Sequence, residues 1–269
     1  MTGGACATAH DASEHAEAPG GASHSHHEKK HDWQSDAFAN TYDSSESVRA
    51  NARNVSASLL RRLPECENAA FNERRAVIID VGAGPGHALL TLAPYATALI
   101  SVDYSQPMAW LFKSNAEDAG PHVSERAHAV IHDFESETQQ QVIDKLVALS
   151  PDVAQADVTI CVMVAHHAKH LDALHAMLCA ITKPRGTIVY FDKEPGDSVP
   201  GHTDHAIVDQ DMLERKGVHH AHGFSRHTMK ELVERHGGTV LYADTEFTFD
   251  FGRSGRDHNI LAVYARNKA

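Results

Sequence analysis

The chain has 269 residues, 42% of them hydrophobic and 22% charged, a globular composition that excludes collagen-like, coiled-coil and wholly disordered classes. Asp and Glu number 36 against 24 Lys and Arg. The resulting charge of −12 excludes a mechanism whose affinity comes from neutralising phosphates, so no nucleic-acid partner is expected.

Residues 1–31 are Ala, Gly, Ser, His and acids with almost no large apolar side chain, which predicts a disordered tail ahead of one domain over 32–269. Residues 1–47 contain eight acids against Lys29 and Lys30, a local charge of −6, so half of the net charge lies outside the expected core. The first forty residues carry neither a basic start followed by an apolar stretch nor an Arg-rich amphipathic pattern, and no apolar run in the chain reaches the roughly 18 residues of a membrane span. Cys6, Cys66, Cys161 and Cys179 show no CxxC spacing and predict reduced thiols with no zinc framework. The cytosol is the expected compartment.

Val48, Ala52, Val55, Leu59 and Leu63 recur at helical spacing and predict a one-faced helix over 46–63, limited by Pro64. The apolar run over 76–80 has the character of a parallel strand covered on both faces, and a glycine-rich turn follows at once. Helices over 87–95, 107–118, 138–149 and 171–181 then alternate with strands over 98–103, 127–132, 156–164 and 186–192. This rhythm predicts a doubly wound, mostly parallel α/β sheet. Residues 193–224 break it with Pro, Gly and five His, a connection long enough to be a lid. Ser225 then caps a helix over 225–236 that stops at Gly237 and Gly238. Strands over 239–248 and 258–265, joined through Gly252 and Gly255, complete seven strands with a terminal antiparallel hairpin.

The turn Asp80-Val81-Gly82-Ala83-Gly84-Pro85-Gly86 lies between strand and helix, the context in which clustered glycines point to nucleotide binding. Seventeen residues after Gly86 the next strand ends in Asp103, where a carboxylate can accept two ribose hydroxyls. A dinucleotide fingerprint wants its third glycine at position 87, which is His87, so an NAD site does not fit the spelling.

That spelling, with Asp103-Tyr104-Ser105, Met108 and the Asp133-Phe134 pair, resembles the class I S-adenosylmethionine-dependent methyltransferases over about residues 45–265. The small-molecule branch, of the kind found in quinone biosynthesis, is the nearest in character. The resemblance implies S-adenosylmethionine as cofactor, with Gly82, Ala83, Gly84 and Gly86 against its methionine moiety and Asp80 beneath them near the amino group. It further implies Asp103 on the ribose, Tyr104 and Met108 flanking the adenine, and Asp133 with the Phe134 backbone at the adenine edge. Residues 33–42, ending at Tyr42, are similar to a segment that folds over the cofactor.

Methyl transfer is an in-line displacement, so positioning supplies most of the acceleration, and a base adds to it when the acceptor carries a proton. The fourth strand ends in Val162-Met163-Val164-Ala165-His166-His167, at the edge where such sheets place substrates. His167 and His166 are candidate catalytic groups there, with Val164 beside the cofactor, and His222 after the lid is a third candidate. The Asn-Pro-Pro-Tyr and paired-Glu signatures of base- and arginine-modifying relatives are absent, which favours a small-molecule methyl acceptor. His202, Asp204, His205, Asp209, Asp211, His219 and His220 show no helical His-x-x-x-His spacing and predict a solvated loop rather than a metal site. His24, His26, His27 and His31 form a low-complexity tract that either binds transition metals loosely or is inert. A nucleotide-dependent oxidoreductase and a non-catalytic cofactor- or metal-binding protein on the same fold are the competing readings. Nothing in the sequence specifies the oligomeric state.

Overall fold

The structure, a computed structural model, describes residues 33–63, 76–195, 219–220, 222–250 and 257–269. The expected tail, its His tract, Pro64, the lid groups from His202 to Asp211 and the Gly252–Gly255 turn lie outside the described residues.

Two helices open the described chain, α1 (Asp36–Asp43) and α2 (Glu46–Arg62). β1 (Ala76–Val81), α3 (His87–Leu90), β2 (Ala96–Asp103), α4 (Gln106–Asp118), α5 (Pro121–Ser124) and β3 (Ala127–Ile131) follow. α6 (Gln139–Leu149), β4 (Ala156–Val162), α7 (Leu171–Ile181) and β5 (Thr182–Lys193) complete the parallel part. After α8 (Arg226–Arg235), β6 (Thr239–Asp250) and β7 (Asp257–Arg266) form the hairpin. The strand order is β3-β2-β1-β4-β5-β7-β6, parallel from β3 to β5 and antiparallel where β7 joins β5 and β6 joins β7. This is the doubly wound sheet with an antiparallel terminal hairpin that the sequence predicts.

The period of two divides the core between the faces. Ile78, Leu99, Ile160 and Phe191 pack under α2, α3 and α4 through Leu59, Leu89 and Phe112. Val77, Ile79, Ile100 and Tyr190 pack on the other face against Leu146, Leu178 and Leu232 of α6, α7 and α8. β1 is buried along its whole length, which is why it reads as an uninterrupted apolar run. Among the described residues no helix is long and apolar enough to cross a membrane.

Several boundaries differ from those expected, each for a local reason. The helix expected over 87–95 splits into α3 and a 3-10 turn over Ala93–Tyr95, because Pro94 cannot donate into a continuing helix. β4 ends at Val162 instead of 164, because Met163 takes a left-handed φ of 57° that leaves the strand. β5 begins at Thr182, with its register to β4 shifting across a segment that contains Arg185 at φ 63°.

Inside the second face, His175 is 1% exposed and its Nδ1 lies 2.6 Å from the Tyr190 hydroxyl. Burial, with the neighbouring His236, pushes this imidazole down to about 4 from an ordinary 6.5. Between those values the unfolded chain takes up a proton there that the folded chain excludes, so the stability this site contributes is present above pH 6.5 and lost as pH falls toward 4. Urea denaturation at a series of pH values will show the native protein losing up to about 3 kcal/mol more stability across that window than the His175→Gln variant.

Candidate functional site

The sheet order reverses between β1 and β4, and the carboxyl ends of β1, β2, β3 and β4 open there onto a cavity of about 350 Å³. Such a switch point is where doubly wound sheets hold ligands. Two turn glycines shape the backbone beneath it, of which Gly82 lines the cavity and Gly86 does not. Gly82 has φ 73°, and a Cβ on it would lie 2.1 Å from Val164 Cγ2. Gly86 has φ 78°, and a Cβ there would meet Phe112 of α4 at 2.2 Å. Both need glycine for conformation and for space. Gly84 and Ala83 line the cavity between them. His87, where a dinucleotide site would want glycine, also lines the cavity and lies 3.1 Å from Asp43 Oδ1 at the end of α1.

Asp80 and Asp103 end neighbouring strands and are 2% and 7% exposed. Asp80 Oδ1 has no hydrogen-bond partner. Burial, then the nearby Asp103, pushes the Asp80 carboxyl well above the usual carboxylate range. Asp103 accepts from the Gly84 N–H through Oδ2 and from the Ser105 N–H through Oδ1, each at 2.9 Å. Burial raises its pKa, and these backbone donors oppose the rise. Tyr42 of α1 reaches over the turn to within 3.7 Å of the position of a Gly84 Cβ. Burial, then Asp103 and Asp80, pushes its phenol up to about 12.

α1 is held over the cavity at both ends. The Ser105 hydroxyl donates to the Trp33 carbonyl, and the Gln34 amide donates to the Tyr104 carbonyl at 3.0 Å. The Asn115 amide donates to Asp43 Oδ1 at 2.8 Å. Ser105 also caps α4, accepting from the Met108 N–H at 3.3 Å, so one hydroxyl joins the cover to the wall. Met108 is buried and Tyr104 exposed, and both line the cavity.

After β3, Asp133 accepts from the Glu135 N–H at 3.0 Å and the Ser136 hydroxyl at 2.8 Å. Its carboxylate therefore shapes the turn that brings Phe134 to the cavity. His132, which sequence patterning did not single out, lines the same end with a buried ring whose Nδ1 lies 3.4 Å from Glu137 Oε2 without making a hydrogen bond. Burial lowers its pKa.

The end of β4 separates the two candidate histidines. His166 is 4% exposed, with Nδ1 2.8 Å from Asp192 Oδ1 and its N–H donating to Asp192 Oδ2 at 3.0 Å. Burial raises the Asp192 pKa, and His166 with two backbone donors outweighs it, leaving the carboxyl below its ordinary range. The His166 carbonyl accepts from the N–H groups of His219 and His220 at 3.0 Å each. His166 thus anchors the end of the long connection and does not line the cavity. His167 does line it, its ring 6.2 Å from that of Trp33. Val164 also lines it. His222 is exposed and lies away from the cavity, because Gly223 turns the chain at φ 73° beside Lys193; His219 lines the cavity in its place. Asp192 was missed because only the β4–β5 pairing brings it to His166.

A family model described as a methyltransferase domain matches residues 48–243, most of the chain. The chain belongs to this family. A curated relative, an uncharacterized methyltransferase of Schizosaccharomyces pombe, is 25% identical over 160 residues, 58% of this chain. The chain spans about half the length of that relative, 51%. Magnesium protoporphyrin IX methyltransferase from Synechocystis PCC 6803, solved with bound S-adenosylhomocysteine, aligns at TM-score 0.53 and 12% identity over 82% of this chain and 83% of that one. An S-adenosylmethionine-dependent methyltransferase from Mesorhizobium loti aligns at TM-score 0.51 and 18% identity over 76% and 97% of the two chains. At these identities the structural neighbours share the fold of this methyltransferase domain.

Gly82→Ala will destabilise the domain by about 1–3 kcal/mol in chemical denaturation, through positive φ and the collision with Val164. Val164→Ala added to the same chain will restore part of the loss, since it removes the atom that collides.

Proposed function

We propose that this protein transfers a methyl group from S-adenosylmethionine to a small-molecule acceptor in the cytosol. The observation that carries this reading is Asp80, a buried carboxylate with an unpartnered oxygen beneath a glycine turn, which calls for a cationic ligand. The α-amino group of the cofactor is such a cation. The residues present fit the rest of it. Gly82, Ala83 and Gly84 line the approach to the methionine moiety, while Gly86 does not line the cavity and lets Phe112 of α4 pack against the turn. Asp103 keeps lone pairs for the ribose hydroxyls while two backbone N–H groups aim it. Tyr104 and Met108 flank the adenine region, and the Asp133 turn presents the Phe134 backbone to its edge. Tyr42 and Trp33 line the cavity on the α1 side.

When bound, the cofactor supplies an electrophilic methyl group on a cationic sulfur. The chain's own contribution is to hold an acceptor in line with it and to remove a proton where the acceptor carries one. His167 is the group for that proton, since its ring faces the cavity from the end of β4. His166 acts through position, tied to Asp192 and to the segment that carries His219. A cavity of about 350 Å³ and the net charge of −12 support a small molecule over a nucleic acid.

Isothermal titration with S-adenosylmethionine, S-adenosylhomocysteine, NAD and NADP tests the reading. Micromolar binding of the two sulfur compounds alone is expected; binding of NAD alone, or of none, overturns it. Asp103→Ala will weaken S-adenosylhomocysteine by about 1.5–3 kcal/mol for each lost hydrogen bond to a charged partner. His167→Ala will lower kcat by about 10²- to 10⁴-fold while the affinity for S-adenosylhomocysteine stays within about twofold, and equal turnover would leave His167 a structural residue.

A further inference from the structure

Asp80 is poorly provided for by its own fold. It ends β1 at 2% exposure, lines the cavity, and has an Oδ1 without a hydrogen-bond partner. Asp103 is buried beside it at the end of β2, yet Asp103 is served by the Gly84 and Ser105 N–H groups at 2.9 Å each. A buried carboxylate that lacks donors is costly, and a proton on it removes most of that cost. Tyr42 of α1 and Cys161 of β4 face the same carboxyl, and burial holds both in their neutral forms, the phenol pushed up to about 12 and the thiol raised well above its ordinary value. His87 at the start of α3, His132 after β3 and His167 after β4 line the same cavity and are the titratable groups that accompany the acid pair there.

We infer, on the methyltransferase reading above, that Asp80 carries a proton in the unliganded protein and gives it up when it takes the cofactor's α-ammonium as its partner, so that cofactor binding releases a proton and tightens as pH rises. The carboxyl exchanges one neutralising positive charge for another. Its O–H bond breaks, the proton leaves to solvent, and the oxygen left negative accepts the N–H bonds of the ammonium. Burial, then Asp103, pushes Asp80 well above the usual carboxylate range, the direction that this exchange needs. The sign of the pH dependence follows from linkage. A ligand that prefers the ionised carboxyl is held back wherever the unliganded protein keeps the proton, so affinity rises with pH, by up to about tenfold per unit, and levels off once Asp80 ionises unaided. Ribose hydroxyls are neutral, so the exchange belongs to Asp80 and the amino-acid end of the cofactor, and Asp103 stands outside it.

Titration calorimetry of the full chain with S-adenosylhomocysteine, between about pH 5.5 and 8 and in buffers of different ionisation enthalpy, counts the protons released. The near-isosteric Asp80→Asn variant has no proton to give at this position, while His87, His132 and His167 are unchanged in it, so the difference between the two proteins reports Asp80. The native chain is expected to release about half to one proton more than the variant at the acid end of the series, and its affinity to gain about tenfold or more relative to the variant toward the alkaline end. 5′-Methylthioadenosine, which has the adenosine and lacks the amino acid, is expected to bind the native chain without that release. An equal proton count in the native and Asp80→Asn proteins, or the same release with 5′-methylthioadenosine as with S-adenosylhomocysteine, overturns the inference. Should the variant fail to fold, the comparison of the two ligands on the native chain decides. Failure of S-adenosylhomocysteine to bind strikes the methyltransferase reading instead, so the two failures are distinguishable.

Discussion

Asp80 and Asp103 stand buried side by side at the ends of β1 and β2, and the cost of burying two acids together is the constraint around which the site is arranged. Two like charges in a low-dielectric space favour protonation of one, or a cation between them. Backbone donors from Gly84 and Ser105 are spent on Asp103, which leaves Asp80 as the unsatisfied partner. The glycine turn serves this arrangement, because only a chain that folds back at positive φ can bring the Gly84 N–H to the neighbouring strand's carboxylate. The cover responds to the same field: Tyr42 meets both carboxylates and is held in its phenol form, able to donate.

How much of this was legible in the sequence depended on whether a feature was local. β1 announced itself because burial on both faces leaves only apolar residues, and the glycines and Asp103 followed it at fixed offsets. The hairpin was legible because two alternating runs flank a glycine turn. Where a residue's role comes from a partner far along the chain, patterning was silent. Asp192 meets His166 through the pairing of β4 with β5, and no spacing in the sequence encodes that contact. His222 and His219 are three residues apart in a histidine-rich stretch, and the turn at Gly223 decides which of them lines the cavity. The end of β4 was misplaced because nothing in the identity of Met163 reveals a left-handed backbone.

That left-handed residue also shapes the chemistry. Its amide still donates to the Phe191 carbonyl at 2.7 Å, so the backbone turns away from the strand without losing the sheet's last hydrogen bond. The next residues then leave as a short 3-10 turn over Ala165–His167, which sends His166 inward to Asp192 and His167 outward to the cavity. Two adjacent histidines of identical chemistry thus acquire different surroundings from one backbone angle.

The α2 helix carries Val48 and Asn51 near its start and Arg61 and Arg62 at its end, where both arginines grip the buried carboxylate of Glu246 on β6. The Arg62 guanidinium also lies 3.5 Å from the centre of the Tyr242 ring. The terminal hairpin, at the far edge of the sheet from β3, therefore backs the α2 wall of the cavity. A substitution at Glu246, remote from the glycine turn, would then change how α2 presents Val48 and Asn51 to the cavity while leaving the carboxylate pair untouched.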